Sequence, residues 1–258
     1  MVLLDELRSA RQQGYDVVQD TLAWLDTDEY NNDAGAILLS DICNDHGTID
    51  WDVDIARLLL SRGVDATYCE RDDGWTLLHD AVSFSRNEYA RTVTTALIGA
   101  GADVNARADT EDGDPILTPL GTLLDNHICR ADRLHHCLES ATLLLRAGAS
   151  LDACSNDDSA EDFMFEAEDE NDDLASDPNF VALKTLVAGV RRAGSWKLWT
   201  LEDVKALLRL RSLVARGRAR ERKVRTRRRT PREIALLFAP AFPNELFWNV
   251  MTYWNPRV

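Results

Sequence analysis

The chain has no apolar run approaching the roughly 20 residues of a membrane-spanning helix, so a spanning role is not expected. Its start, Met1-Val2-Leu3-Leu4-Asp5-Glu6, lacks the basic opening and long apolar core of a secretory signal. Cysteine is scarce. Five in 258 residues, an odd number without tight spacing, speaks against a disulfide framework and for buried thiols in a reducing compartment. A Gly-x-Ser-x-Gly elbow, a phosphate-binding loop and a dinucleotide fingerprint are all missing. Positive charge is also short: 29 Lys and Arg face 44 Asp and Glu, and the net charge of −15 argues against a surface that embraces nucleic acid as a whole. These absences predict a soluble, non-catalytic protein of the cytoplasm or nucleus that takes no cofactor.

What is present is periodic. From Gly74 the chain reads Gly74-Trp75-Thr76-Leu77-Leu78-His79-Asp80-Ala81, and Leu77, Leu78, Ala81 and Val82 recur at helical spacing. Val93, Ala96 and Leu97 repeat the pattern, and Gly101 sits where a helix end calls for a left-handed residue. Helices this short are not stable alone in water. Each pair must bury its apolar face against similar pairs, so more of them are expected along the chain. Thr76 to His79 resembles the Thr-Pro-Leu-His signature of the ankyrin repeat, with Leu77 in the Pro position. Gly101-Ala102-Asp103-Val104-Asn105-Ala106 matches that family's closing motif letter for letter, and the spacing of about 33 residues is the family period. The resemblance implies an all-α ankyrin-repeat solenoid of stacked helix-turn-helix pairs. It also implies that Thr76 and His79 hold the turn by hydrogen bonds.

On this reading residues 1–30 form an N-terminal cap, with Leu3, Leu4 and Leu7 in one helix and Val17, Val18, Leu22 and Leu25 in another, divided by Gly14. Residues 31–194 hold about four irregular repeats. The first combines Ala36–Cys43 with Ile55–Ala66, and the second is the motif above. The third opens Thr118-Pro119-Leu120-Gly121, with Gly where the family has His, and closes at Gly148. It is roughly a dozen residues longer than the family period, an excess assigned to 109–115 and 126–133. A fourth takes Phe163, Met164 and Phe165 for its first helix and Phe180, Val181, Leu183, Leu186, Val187 and Val190 for its second, ending near Gly194. Between them Glu166, Glu168, Asp169, Glu170, Asp172, Asp173 and Asp177 read as a mobile, solvated acidic loop. Thr200, Glu202 and Asp203 start a capping helix over 195–215, with Val204, Leu207, Leu208, Arg211 and Val214 along one amphipathic face. A basic linker (216–230) and an aromatic helical segment (231–258) complete the division.

Two clusters invite a metal. Cys129, His135, His136 and Cys137 are of the types zinc prefers, but their spacing fits no known finger and adjacent histidines do not share a helix face. Asp109, Glu111 and Asp112 beside Gly113 resemble part of a calcium loop with the Gly misplaced and no Glu at the twelfth position. No metal is assigned to either. In ankyrin repeats the variable residues at the turn tips and at the exposed start of each first helix grip protein partners. The resemblance carries this role to Arg71, Asp72, Asp73, Trp75 and Asp80, with Asp109, Glu111, Asp112 and Asp114 added from the long third unit. A Trp amid acids suits a binding hot spot; alternatively Trp75 packs on the neighbouring turn. Carboxylates steer cations, so the expected partner presents a basic surface to a monomeric chain. The residues expected to hold the repeats are Gly74, Thr76, His79, Gly101, Asp103, Asn105, Thr118, Pro119 and Gly148.

The block from Arg216 to Arg229 has three readings: a solvated linker, a nuclear-localisation or nucleic-acid patch, or an arm lying on the acidic 157–177 stretch and released by salt. Phe242-Pro243-Asn244-Glu245-Leu246-Phe247-Trp248-Asn249-Val250 resembles the opening helix of an F-box, and the Pro-then-helix end of a SOCS box. Either resemblance implies a ubiquitin-ligase adaptor that contacts its machinery through Leu246, Val250 and Trp254. The alternative is a terminal helix folded back on the repeats.

Overall fold

Short helices alternate with turns. The computed structural model describes residues 18–25, 32–44, 50–69, 74–83, 88–108, 116–152 and 154–216. The chain separates into two units, Met1–Ala188 and Gly189–Val258. In the first, α1 (Val18–Leu25), α2 (Asn32–Asn44), α3 (Asp50–Ser61), α4 (Leu77–Ser83), α5 (Glu88–Gly99), α6 (Pro119–His127), α7 (Leu134–Ala147) and α8 (Ala160–Glu170) follow in order. A 3-10 turn at Asp172–Ser176 leads into α9 (Pro178–Ala193), which crosses the division, and α10 (Trp196–Ala215) belongs to the second unit. Among the described residues β-pairing is limited to isolated bridges such as Cys69 with Thr76 and Ala108 with Leu117.

The helices of the first unit stack in two rows. α2 packs on α3, α4 on α5 and α6 on α7. First helices line up as α2, α4, α6 and α8, while α1, α3, α5 and α7 form the other row. This is an all-α array of stacked helix-turn-helix pairs. α1 joins the row of second helices and buries Thr21, Trp24 and Leu25 there; the other expected cap helix, around Leu3 to Leu7, lies outside the described residues.

Stacking supplies the stability that the single helices lack. α4 has seven residues, well short of what persists alone in water. Its Leu77, Leu78, Ala81 and Val82 are all no more than 2 % exposed, and each large apolar side chain so buried contributes about 1.5–3 kcal/mol. Helices α3, α5 and α7 then stop on Gly63, Gly101 and Gly148, with φ of 88°, 98° and 103°. At each stop the next N–H reaches back to the last turn: Val64 to Leu59 at 3.2 Å, Ala102 to Leu97 at 3.0 Å and Ala149 to Leu144 at 2.9 Å. A Cβ at such φ is strained, so Gly marks the period. Two residues on, Asp65, Asp103 and Ser150 receive backbone N–H groups from Thr67, Asn105 and Asp152 at 2.8, 2.9 and 3.1 Å.

Two expectations are corrected. The acidic run from Glu166 to Asp173 is not a loop: Glu166, Glu168, Asp169 and Glu170 lie in α8, and Asp172 and Asp173 in the 3-10 turn. Buried Ala160, Met164, Ala167 and Leu174 recur beneath the charges and anchor both elements. A reciprocal cap between Ser159 and Asp162 starts the helix. In the second unit, α10 starts at Trp196, a turn before the start expected at Thr200; Leu207, Leu208 and Arg211 of the expected face are half-buried, while Leu198, Leu201, Leu210 and Leu213, off that face, are all more exposed than a third. There the Trp196 and Trp199 rings meet at 5.1 Å, and Trp199 lies over Gly189, where a Cβ would stand 2.2 Å from its indole nitrogen.

Candidate protein-binding surface

The turn that enters α4 is held from both sides. The Thr76 N–H donates to His79 Nδ1 at 3.1 Å, and the Thr76 hydroxyl lies 2.9 Å from the same nitrogen. A backbone N–H can only donate, so Nδ1 is the acceptor and Nε2 carries the hydrogen. That Nε2 faces the Leu117 carbonyl 3.2 Å away, in the next repeat. His79 is wholly buried. Its ring supports Trp75, with centroids 5.1 Å apart. The Trp75 indole N–H donates to Asp80 Oδ1 at 2.6 Å. Trp75 and Asp80 are therefore brought together, and Asp80, 7 % exposed, turns its carboxylate to the indole. Trp75 is half-buried. Gly74, with φ of 80°, lets the chain pass the Arg107 carbonyl oxygen, 2.7 Å from where a Cβ would stand.

The third pair closes its turn differently. Thr118 caps α6 through Gly121 N–H at 3.3 Å, with Pro119 in the first turn. The Thr118 N–H donates to the Cys154 carbonyl at 3.0 Å. That carbonyl comes so close that a Cβ on Gly121 would sit 1.9 Å from its oxygen. Only a residue without a side chain fits. The second and third pairs are further joined by Asn105, whose amide donates to the Gly148 carbonyl at 3.2 Å and accepts from Ser150 N–H at 2.7 Å.

The turn tips spring from paired bases. Ala108 and Leu117 exchange both backbone hydrogen bonds, at 2.9 and 3.0 Å, and Leu117 bridges onward to Ser155. Asp109, Glu111, Asp112 and Asp114 fall between Ala108 and Leu117 in sequence, and Arg71, Asp72 and Asp73 between Cys69 and Gly74; all lie outside the described residues. Sequence reasoning missed the turn at 155–158. Asn156 adopts the left-handed φ of 42°, its side chain accepts from Ile116 N–H at 3.2 Å, and its own N–H reaches the Ile116 carbonyl at 3.0 Å. The run Ser155-Asn156-Asp157-Asp158 is a turn signal in itself.

Cys129, His135, His136 and Cys137 do not converge. Cys137 is buried in α7, its thiol pushed up to about 12 by burial alone. Cys129 is exposed at the end of α6 and approaches Glu170 at 3.7 Å; partial burial first, then the Glu170 charge, raise its thiol above the usual range. His135 and His136 lie beside Glu139, which Arg91 of α5 holds at 2.5 Å. Among the described residues no group of three or more His, Cys, Asp or Glu is arranged to hold a metal ion. Asp65 is lowered by the Thr67 hydroxyl and N–H, whereas desolvation raises Asp125.

These features define a class: an all-α repeat protein whose helix pairs are tied turn to turn. Residues 73–109 match the family model of the ankyrin repeat. No curated protein matches the chain. Among the described residues no helix is long and apolar enough to cross a membrane. Leu246, Val250 and Trp254, the residues implied by the F-box and SOCS-box resemblance, lie outside the described residues, as does the block after Arg216.

Proposed function

We propose that the helix-pair array is a non-catalytic protein-binding module that grips a partner with a basic surface through its turn tips and the neighbouring first helices. The ankyrin repeat at residues 73–109 supports the protein-binding role, since this family is one of interaction modules. The two-way Ala108–Leu117 pairing carries the choice of surface: a fixed base lowers the entropy lost when the tip above it closes on a partner. The tips are acidic in sequence, with Asp72, Asp73, Asp109, Glu111, Asp112 and Asp114 against Arg71, so they favour a cationic partner and speed its approach. Trp75, half-buried and hydrogen-bonded to Asp80, serves as a rigid wall beside the grip.

The test neutralises Asp109, Glu111, Asp112 and Asp114 to Asn or Gln in the full chain and compares co-precipitated proteins by quantitative mass spectrometry. Loss of a set of partners with basic surfaces, at unchanged melting temperature, supports this grip. An identical set bound by both forms rejects it.

A further inference from the structure

A second surface lies on the last helix pair of the first unit. Every earlier first helix is covered by the next one: α2 by α4, α4 by α6 and α6 by α8. Within this unit α8 has no successor. What it leaves open is a groove of about 190 Å³ between α8 and the part of α9 that belongs to the unit. Met164 and Val187 form its floor and are 3 % and 1 % exposed. Phe165 rises beside them with 73 % of its surface in solvent. Residues 161, 164, 165 and 168 are spaced to share one helix face, and they line the groove.

The rim is mainly acidic. Glu161 and Glu168 stand at the groove, and α8 further carries Asp162, Glu166, Asp169 and Glu170 with no Lys or Arg. The cation that lines the groove, Lys184, is already held by Glu168 at 2.5 Å and lies 5.6 Å from the Phe180 ring centre. An apolar floor with an anionic rim fits one kind of occupant. We propose that this groove docks an amphipathic helix with basic flanks, supplied by a partner protein, in the position that a further first helix of the array would take. Its apolar side covers Phe165, Met164 and Val187, and its Lys or Arg residues face Glu161 and the outer acids of α8. The residues lining the groove are none of those assigned to the turn tips, so substitutions can test the two surfaces one at a time.

Two measurements on the full chain test this. In the first, a fluorescent amphipathic peptide of Leu and Lys, about 18 residues long, is titrated and followed by anisotropy, with a Leu and Glu peptide of the same pattern as control. The expected result is binding of the Lys peptide alone, weakened at least about tenfold by Phe165→Ser and retained by Phe165→Leu. Neutralising Asp109 and Asp112 should leave it unchanged. Equal binding to wild-type and Phe165→Ser protein overturns the proposal, as does equal weakening by the turn-tip substitutions, which would mark unspecific attraction. Phe165 is exposed, so both variants should melt with the wild type. In the second, a photo-crosslinking phenylalanine analogue replaces Phe165 in cells, and the crosslinked peptide is sequenced. A basic amphipathic helix of another protein supports the proposal. A crosslink within this chain, one to a second copy, or none at all overturns it.

Discussion

In the second helix pair an imidazole spans the gap to the next repeat; in the third, a backbone carbonyl crosses the same kind of gap unaided. His79 and Gly121 each follow their threonine by three residues, yet they solve the joint by opposite means. His79 fills the space with a ring that accepts from Thr76 and donates to Leu117. Gly121 empties the space, and the Cys154 carbonyl moves in to meet Thr118 N–H. One joint depends on a side chain being present and the other on its absence. A repeat motif can therefore lose its most recognisable residue and keep its geometry, provided the neighbour closes the distance.

The sharpest way to break the third joint is Gly121→Ala. Its Cβ would meet backbone 1.9 Å away, which no rotamer change relieves, and a loss of about 3 kcal/mol or more is expected in urea unfolding. His79→Ala should cost about 2–4 kcal/mol, because it opens a cavity, removes the tie to the Leu117 carbonyl and strands the Thr76 N–H. If His79→Gly proved harmless, the two joints would be interchangeable and the contrast would fall. Asn105→Ala removes the link from the second closing turn to the third, at an exposed site, and about 1 kcal/mol should be lost.

The smallest effect separates the helices that follow the two joints. Where α4 has Ser83, whose hydroxyl donates to the His79 carbonyl at 2.8 Å, α6 has Asp125. Desolvation raises the Asp125 carboxyl above its ordinary value, so the folded state holds a proton more tightly than the unfolded one. Stability should therefore rise as pH falls through the folded-state value, and the charge should be mildly unfavourable at neutral pH. Asp125→Asn is expected to raise the melting temperature slightly at pH 7, and the gain should vanish once acid protonates the native residue in both states. A gain that persisted unchanged in acid would point away from charge.

The period was legible because its markers are local. Gly63, Gly101 and Gly148 each answer a backbone demand within their own helix end, and the apolar spacing of Leu77 to Val82 gives the core face directly. What sequence alone misread involved partners further away. The acids after Phe165 looked like a solvated loop because their number hides the sparse anchors, Ala160, Met164, Ala167 and Leu174, that hold them in helix and turn. The Trp75–Asp80 hydrogen bond went unread as well, since nothing in the order of letters says that the indole will turn to that carboxylate. The Gly121–Cys154 contact joins the first turn of α6 to a segment a full repeat away, beyond the reach of any local rule. The surface reading was legible only as acidity at the turn tips.

The hydrogen on His79 Nε2 sits in the seam between two helix pairs, aimed at the Leu117 carbonyl and shut away from solvent. It can trade places with deuterium only when the seam parts, and local parting need not wait for the whole array to unravel. The resonance of this single ring proton thus offers a built-in clock for how often neighbouring repeats let go of one another.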